Sequence, residues 1–244
     1  MPTQAPAKTA YRAVNAHRLS ESQKGLSPFH LEASFLRQLD DMVGSRKWVK
    51  KKGALYRAGD PFSSLYVTRL GIFKRLMLAP DGREQVVAFY ICGDLLGADG
   101  LAQDCYASDA IALEDSEVWV FTFAQLDKLG HRLPGLRTTL ERCLAREVMR
   151  AQGMMLILGS MFAEERLAAF LLDLGQRYHA LGYAQNKLVL QMTREEIASF
   201  LGLKSETLSR LFSQLQENGL IRVQGRVIKL LDLPALHAVA GERP

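Results

Sequence analysis

The apolar positions of the chain change their period once. From Arg46 to Phe123 they come in short runs broken by glycine: ALYRAG, SLYVTRLG, IFKRLML, REQVVAFYICG, SDAIALED and SEVWVFTF. Short strands at regular spacing with turn signals between them predict a sandwich or barrel-like β domain. IFKRLML and REQVVAFY flank Ala-Pro-Asp-Gly, which predicts a hairpin projecting from the surface. After Phe123 the period becomes helical. Leu136, Leu140, Leu144, Val148, Ala151, Met155 and Leu158 recur at steps of three and four, the stripe of one long helix. From Arg137 to Leu158 that helix runs roughly 33 Å at 1.5 Å per residue, longer than a small β domain covers. Part of the stripe therefore needs other cover, either the rest of this chain or, favoured by its length, the same helix of a second copy. AEERLAAFLLDLGQRYHAL predicts a further amphipathic helix stopped by Gly182. Ahead of the β runs, residues 1–25 are polar with little periodicity and read as a mobile arm, followed by a short helix near His30 to Val43.

The stretch MTREEIASFLGLKSETLSRLFSQL carries the chemistry. Thr193 followed by Glu196 is a capping box that starts a helix at about Arg194. Ile197, Phe200 and Leu201 give that helix an apolar side, and Gly202 ends it where a left-handed residue is wanted. Ser205 is expected to cap a second helix running to about Asn218. Two helices joined by a short glycine-bearing turn make a helix-turn-helix. In the second helix Leu208, Leu211, Phe212 and Leu215 form the core side, and Glu206, Ser209, Arg210 and Ser213 repeat at the same intervals on the opposite side. LIRV and RVIKL follow, joined at Gln-Gly, as the wing of a winged helix. Arg bonds guanine O6 and N7 together, Glu accepts from cytosine N4 and Ser serves either base, so Glu206 and Arg210 are fit to read one G·C pair from both strands. Thr193, Arg194, Lys204, Ser205, Thr207 and Ser213 lie where backbone contacts to DNA are expected. The plain alternative is a solvated helix face with a Glu206 to Arg210 ion pair worth about 0.2–0.5 kcal/mol.

Composition narrows the field. The 244 residues suit two modest domains, and the 48% hydrophobic and 23% charged fractions are those of an ordinary globular protein. The net charge of +5 points only weakly to a polyanion. Between Lys187 and Leu231, however, seven basic residues stand against four acidic ones, which favours contact with the phosphate backbone. No apolar run nears the roughly 20 residues of a membrane helix, and no secretory signal pattern opens the chain, so a cytoplasmic protein is expected. Cys92, Cys105 and Cys143 are widely spaced and odd in number, unlike a disulfide or Cys-x-x-Cys framework. Small core residues are their plain reading, and a Cys92–Cys105 redox pair the sharper one. The five histidines show no ligand spacing. The basic run Arg46 to Lys52 reads as a solvated strand or as a further contact to DNA or polymerase. No nucleotide-binding, metalloprotease or hydrolase motif is present, so no enzyme is expected.

The helix-turn-helix stretch resembles the DNA-binding domain of the Crp/Fnr transcription regulators, and Glu206-x-x-Ser209-Arg210 matches the signature of the Fnr branch. KKGALYRAGDPFSSLYVTRLGIFK and the GDLLG turn at Gly93 to Gly97 look like the family's β-roll sensor, and AEERLAAFLLDL like its usual junction. The resemblance implies an α+β chain: arm 1–25, β-roll 26–135, dimerisation helix 136–160, winged helix-turn-helix 161–234 with its motif at about 194–213, and tail 235–244. It also implies a homodimer, double-stranded DNA with an inverted TTGAT-like repeat as partner, oxygen- or redox-linked control, and contact with RNA polymerase, for which the hairpin tip Pro80 to Arg83 is a candidate. In the family Glu and Arg take the G·C pair and Ser the neighbouring T, which assigns Glu206, Arg210 and Ser209.

Departures from the family pattern matter as much. The positions of the Fnr iron–sulfur ligands fall at His17, Ser20, Leu26 and Trp119, none a cysteine, so no such cluster is expected. The Arg-Ser clamp that holds cyclic AMP falls near Tyr106 and Ala107, so no cyclic nucleotide is expected, and no metal or other cofactor. Where cluster-dependent members carry an acidic residue in the dimer helix, this chain has Ala151, which implies a dimer that forms without a metal signal. A winged helix that docks a protein is the alternative reading.

Overall fold

The computed structural model describes residues 45–132 and 135–241. The arm at 1–25 and the short helix near His30 to Val43 lie outside the described residues. Eight strands form the first domain: β1 Arg46–Val49, β2 Ala54–Tyr56, β3 Ser64–Leu70, β4 Phe73–Leu78, β5 Glu84–Tyr90, β6 Leu95–Leu96, β7 Asp109–Ala112 and β8 Ser116–Thr122, with a 3₁₀ turn at Ala98–Ala102. They make two antiparallel four-stranded sheets, ordered β1-β8-β3-β6 and β2-β7-β4-β5. The hairpin read at Ala79 to Gly82 joins β4 to β5, with Gly82 at φ 84 and its N–H donated to Ala79 O at 2.9 Å. Then come α1 Phe123–Arg132, α2 Leu136–Ser160, α3 Ala163–Ala180, β9 Lys187–Val189, α4 Arg194–Leu201, α5 Ser205–Glu217, β10 Ile221–Gln224, β11 Val227–Leu230 and α6 Leu233–Val239.

Three apolar clusters organise these elements. Between the two sheets lie Tyr56, Tyr66, Phe73, Tyr90 and Tyr106 with small aliphatics. On the outer side of the first sheet Leu65, Trp119 and Phe121 meet Leu129, Leu136 and Cys143 from α1 and α2. The third runs through the helical half and takes in Ile72, Val86, Phe89, Ile91 and Leu113 of the roll. The roll and the helix-turn-helix thus share a core, and burying each such side chain stabilises by about 1.5–3 kcal/mol.

One expectation is corrected here. Residues 235–244 are not a tail throughout: α6 reaches Val239, Leu236 is fully buried, and the helix is capped by Asp232, which accepts the Ala235 N–H at 2.9 Å. The stripe of the long helix divides along its length. Leu140 and Leu144 pack against the roll, and Leu158 faces the helix-turn-helix. Val148, at 57% exposure, Met155, at 74%, and Ala151 stand in solvent, beside exposed Met149 and Leu156.

A buried ionic network joins the three parts. Asp94, after β5, accepts from Arg177 of α3 at 2.5 Å, from the Ile91 N–H at 2.7 Å and, at 3.4 Å, from Arg150 of α2. Arg177 also donates to Phe89 O, and Arg150 pairs with Glu147, which accepts the Tyr90 hydroxyl at 3.1 Å. Removing one partner of such a pair strands buried charge. Asp94→Asn is expected to lower stability by about 3–5 kcal/mol, read as a fall in the urea midpoint; an unchanged midpoint would show that the network carries no weight. Beside it, burial first and the Asp94 carboxylate second push the Cys92 thiol up to about 12. Only the thiolate is nucleophilic. At pH 8 iodoacetamide should therefore leave Cys92 unmodified in the native protein and react with it in urea. Labelling in the folded state at the rate of a free cysteine peptide would refute this.

Candidate nucleic-acid interface

The helix-turn-helix forms for the reasons its sequence suggests. Thr193 Oγ1 accepts the Glu196 N–H at 3.2 Å while Glu196 Oε2 accepts the Thr193 N–H at 2.7 Å, closing the capping box. A cap of this kind is worth about 1 kcal/mol. α4 ends at Gly202, whose φ of 63° is left-handed, and Leu203 N–H returns to Ala198 O. Contrary to the sequence expectation, Ser205 does not cap α5. The residue with extended backbone is Lys204, without a side-chain cap bond, and Ser205 is already the first helical residue. A serine can bond the free N–H groups only from outside the helix, so its place is one step too late.

α5 then divides cleanly. Leu208, Leu211, Phe212 and Leu215 are buried, and Glu206, Thr207, Ser209, Arg210 and Ser213 are exposed. Glu206 and Arg210 are both exposed, so both charged ends are open to a partner. Ser213 Oγ is bonded back to Ser209 O at 3.3 Å. Lys204 and Thr193 are exposed at the edge of the same face.

The Arg194 guanidinium lies over the Phe212 ring, 3.4 Å from the centroid, Nη1 is buried without a hydrogen-bond partner, and burial pushes the group below its usual pKa. It thus packs on the motif's own core while Nη1 is left without a protein partner. The wing is β10 and β11, paired from Ile221↔Leu230 to Gln224↔Val227, so its two-residue turn is Gly225-Arg226 rather than Gln-Gly. Register places Arg222 opposite Lys229 and Lys229 opposite Lys187, three exposed cations in one row. Like charges set opposite one another cost stability unless an anion answers them.

What sequence reading missed is how the motif is held. Lys74 of β4 reaches Glu196 of the capping box at 2.8 Å, the Val86 N–H is donated to Ser199 Oγ at 2.9 Å, and Gln85 donates to Ser199 O. Phe89 packs on Phe200 and Phe170, with centroids 5.1 and 6.2 Å apart. β5 is a sheet edge, and its free N–H groups are the signal that some cover was needed.

The interior of the roll is filled by aromatic side chains. Tyr106 stacks on Tyr56 with centroids 4.0 Å apart and donates its hydroxyl to Ser64 O at 2.8 Å. Arg75 lies against the Tyr90 ring at 5.7 Å. Among the described residues no group of His, Cys, Asp and Glu is placed to hold a metal, and no helix is long and apolar enough to cross a membrane.

Comparison with known proteins agrees with this architecture. Residues 165–239 match the model of the Crp-like helix-turn-helix domain, and residues 46–132 that of the cyclic nucleotide-binding domain. The chain is 41% identical to the anaerobic regulatory protein of Pasteurella multocida, covering 94% of this chain and 84% of that one. It is 38% identical to the transcriptional activator protein FnrA of Stutzerimonas stutzeri over 93% of each. The structure of FixK2 from Bradyrhizobium japonicum superposes with a TM-score of 0.72 at 30% identity, covering 80% of this chain and 96% of that one. A β-roll, a long helix and a helix-turn-helix in this order, with relatives of that similarity along nearly the whole chain, mean that this protein belongs to the Crp/Fnr family of DNA-binding transcription regulators.

Proposed function

We propose that the protein acts as a homodimer that reads an inverted TTGAT-like repeat and controls genes in response to oxygen or redox state. The observation that carries this is the exposed set Glu206, Ser209 and Arg210, held on the face of α5 opposite four buried apolar residues. That set supplies what a G·C pair and a neighbouring T require in a major groove. The cationic row Lys187, Lys229 and Arg222 adds charge for phosphates. A relative named as an anaerobic regulator supports the oxygen-linked part.

The uncovered stretch of α2 supports the dimer. Val148, Ala151 and Met155 follow steps of three and four, the spacing of a helix-to-helix seam. Ala151 brings no charge into that seam, so pairing needs no metal to neutralise it. The iron–sulfur cluster of Fnr proteins is absent from this reading: of the corresponding positions, His17, Ser20 and Leu26 lie outside the described residues, and Trp119 is fully buried among strands. Cyclic nucleotide is absent from it as well, because Tyr106 fills the interior and offers no cation to a phosphate. RNA polymerase is the further partner, with the hairpin tip Pro80 to Arg83 as contact; Leu78 beside it is 69% exposed. A protein that reads chromosomal DNA works in the cytoplasm.

Arg210→Ala should weaken binding to the inverted repeat by about 1–3 kcal/mol and relax choice at the G·C pair. An equal loss on random DNA would count against base reading and for the protein-docking alternative. Protein purified in air should sediment as a dimer at micromolar concentration, and Met155→Asp should yield a folded monomer. A monomeric parent protein would sink the metal-independent dimer.

A further inference from the structure

Arg166, in the first turn of α3, donates to three main-chain carbonyls that belong to two other helices or their ends. Nη2 reaches Leu158 O at 2.9 Å, Nε reaches Met161 O at 3.0 Å and Nη1 reaches Leu201 O at 3.1 Å. These are carbonyls their own helices leave over. Leu158 O would take the Phe162 N–H, but that N–H is donated to Glu165 Oε2 at 2.7 Å. Leu201 closes α4, and the turn behind it sends the Gly202 and Leu203 N–H groups to Ser199 and Ala198. One guanidinium therefore sits at the carboxyl ends of α2 and α4, where a cation is favoured. Its planar fork of donors serves separate acceptors in fixed directions, which an ammonium does not. Gly202 completes the contact: a Cβ there would lie 3.2 Å from Leu158 Cδ2 and 3.5 Å from Arg166 Nη1. The turn of the helix-turn-helix rests on the last turns of the long helix with Arg166 between them.

We propose that Arg166 is a positioning residue for DNA reading, fixing the angle between α5 and the long helix and so the separation of half-sites that the protein accepts. This rests on the dimeric, inverted-repeat reading given above. In a dimer joined along α2, the two copies of α5 are placed by whatever ties α4 to α2, since α4 and α5 pack as one unit. Arg166 makes that tie, and Arg177 holds the far end of α3 to Phe89 O and Asp94. Half-sites lie about 34–36 Å apart, one turn of DNA, and each added base pair shifts one of them by about 3.4 Å and turns it by roughly 35°. A stiff pair of reading helices rejects such a shift, and a loose pair follows it.

The test is a series of duplexes bound by the full chain: one TTGAT half-site alone, and inverted pairs whose central spacer is shortened or lengthened by one or two base pairs. The parent protein should prefer one spacing by about tenfold or more, the worth of one charge-assisted hydrogen bond. Arg166→Lys should bind the lone half-site within about twofold of the parent while its preference among spacings falls to about twofold. Retention of the parent's preference by Arg166→Lys overturns the proposal and leaves the dimeric reading standing. A parent protein that binds the lone half-site as tightly as every inverted pair overturns the reading itself. Should Arg166→Lys not fold, spin labels at Glu217→Cys in protein whose free Cys92, Cys105 and Cys143 are replaced by Ala serve instead. A single narrow distance between the two copies without DNA is expected, and a broad distribution contradicts a preset angle.

Discussion

Burial of one side of α5 is the constraint on which everything else in the reading head depends. Leu208, Leu211, Phe212 and Leu215 fix the rotation of the helix about its own axis, and with it the direction of Glu206, Ser209 and Arg210. Each buried side chain contributes about 1.5–3 kcal/mol, far more than any exposed polar contact on the opposite face. The apolar side decides orientation, and the polar side is left free to choose a partner. Glu206 and Arg210 both stand exposed on that polar side.

The reading head is also tied to the rest of the chain. Its first helix covers the edge of β5, its capping-box glutamate is held by Lys74, and α3 is anchored through Arg177 to Asp94. Asp94 touches the long helix as well, through Arg150. The helix-turn-helix is thereby joined to the roll and the long helix through packed and charged contacts. The aromatic filling of the roll, with Tyr56, Tyr66 and Tyr106 in van der Waals and hydrogen-bond contact, gives this frame a stiff interior.

Local features were legible in the sequence because they are governed by neighbours in the chain. The capping box at Thr193 and Glu196, the left-handed Gly202, the β4–β5 hairpin and the two faces of α5 all depend on spacings of four residues or fewer. The Asp232-Leu233-Pro234 start of α6, just ahead of the tail read at 235–244, carries the same kind of signal. Ser205 shows the limit of such reading, since a capping residue works only from the non-helical position and the chain enters the helix at Lys204. The contacts that hold the head to the roll have no local trace: Lys74 and Glu196 are 122 positions apart. The contact of Arg194 with Phe212 has no local trace either, because Phe212 comes from the next helix. Periodicity in α2 records that a face is apolar, not which body covers each part of it, so the division of its stripe is visible only in the structure.

The central claim is that this chain reads a specific inverted repeat with no metal or nucleotide to license it. Protein purified in air and treated with chelator, titrated at fixed salt against a duplex carrying an inverted TTGAT pair and against one with both G·C pairs inverted, tests it directly. The account predicts that the intact repeat is favoured by about 30-fold or more, two altered base pairs at about 1–3 kcal/mol each. Equal affinity for the two duplexes would contradict it.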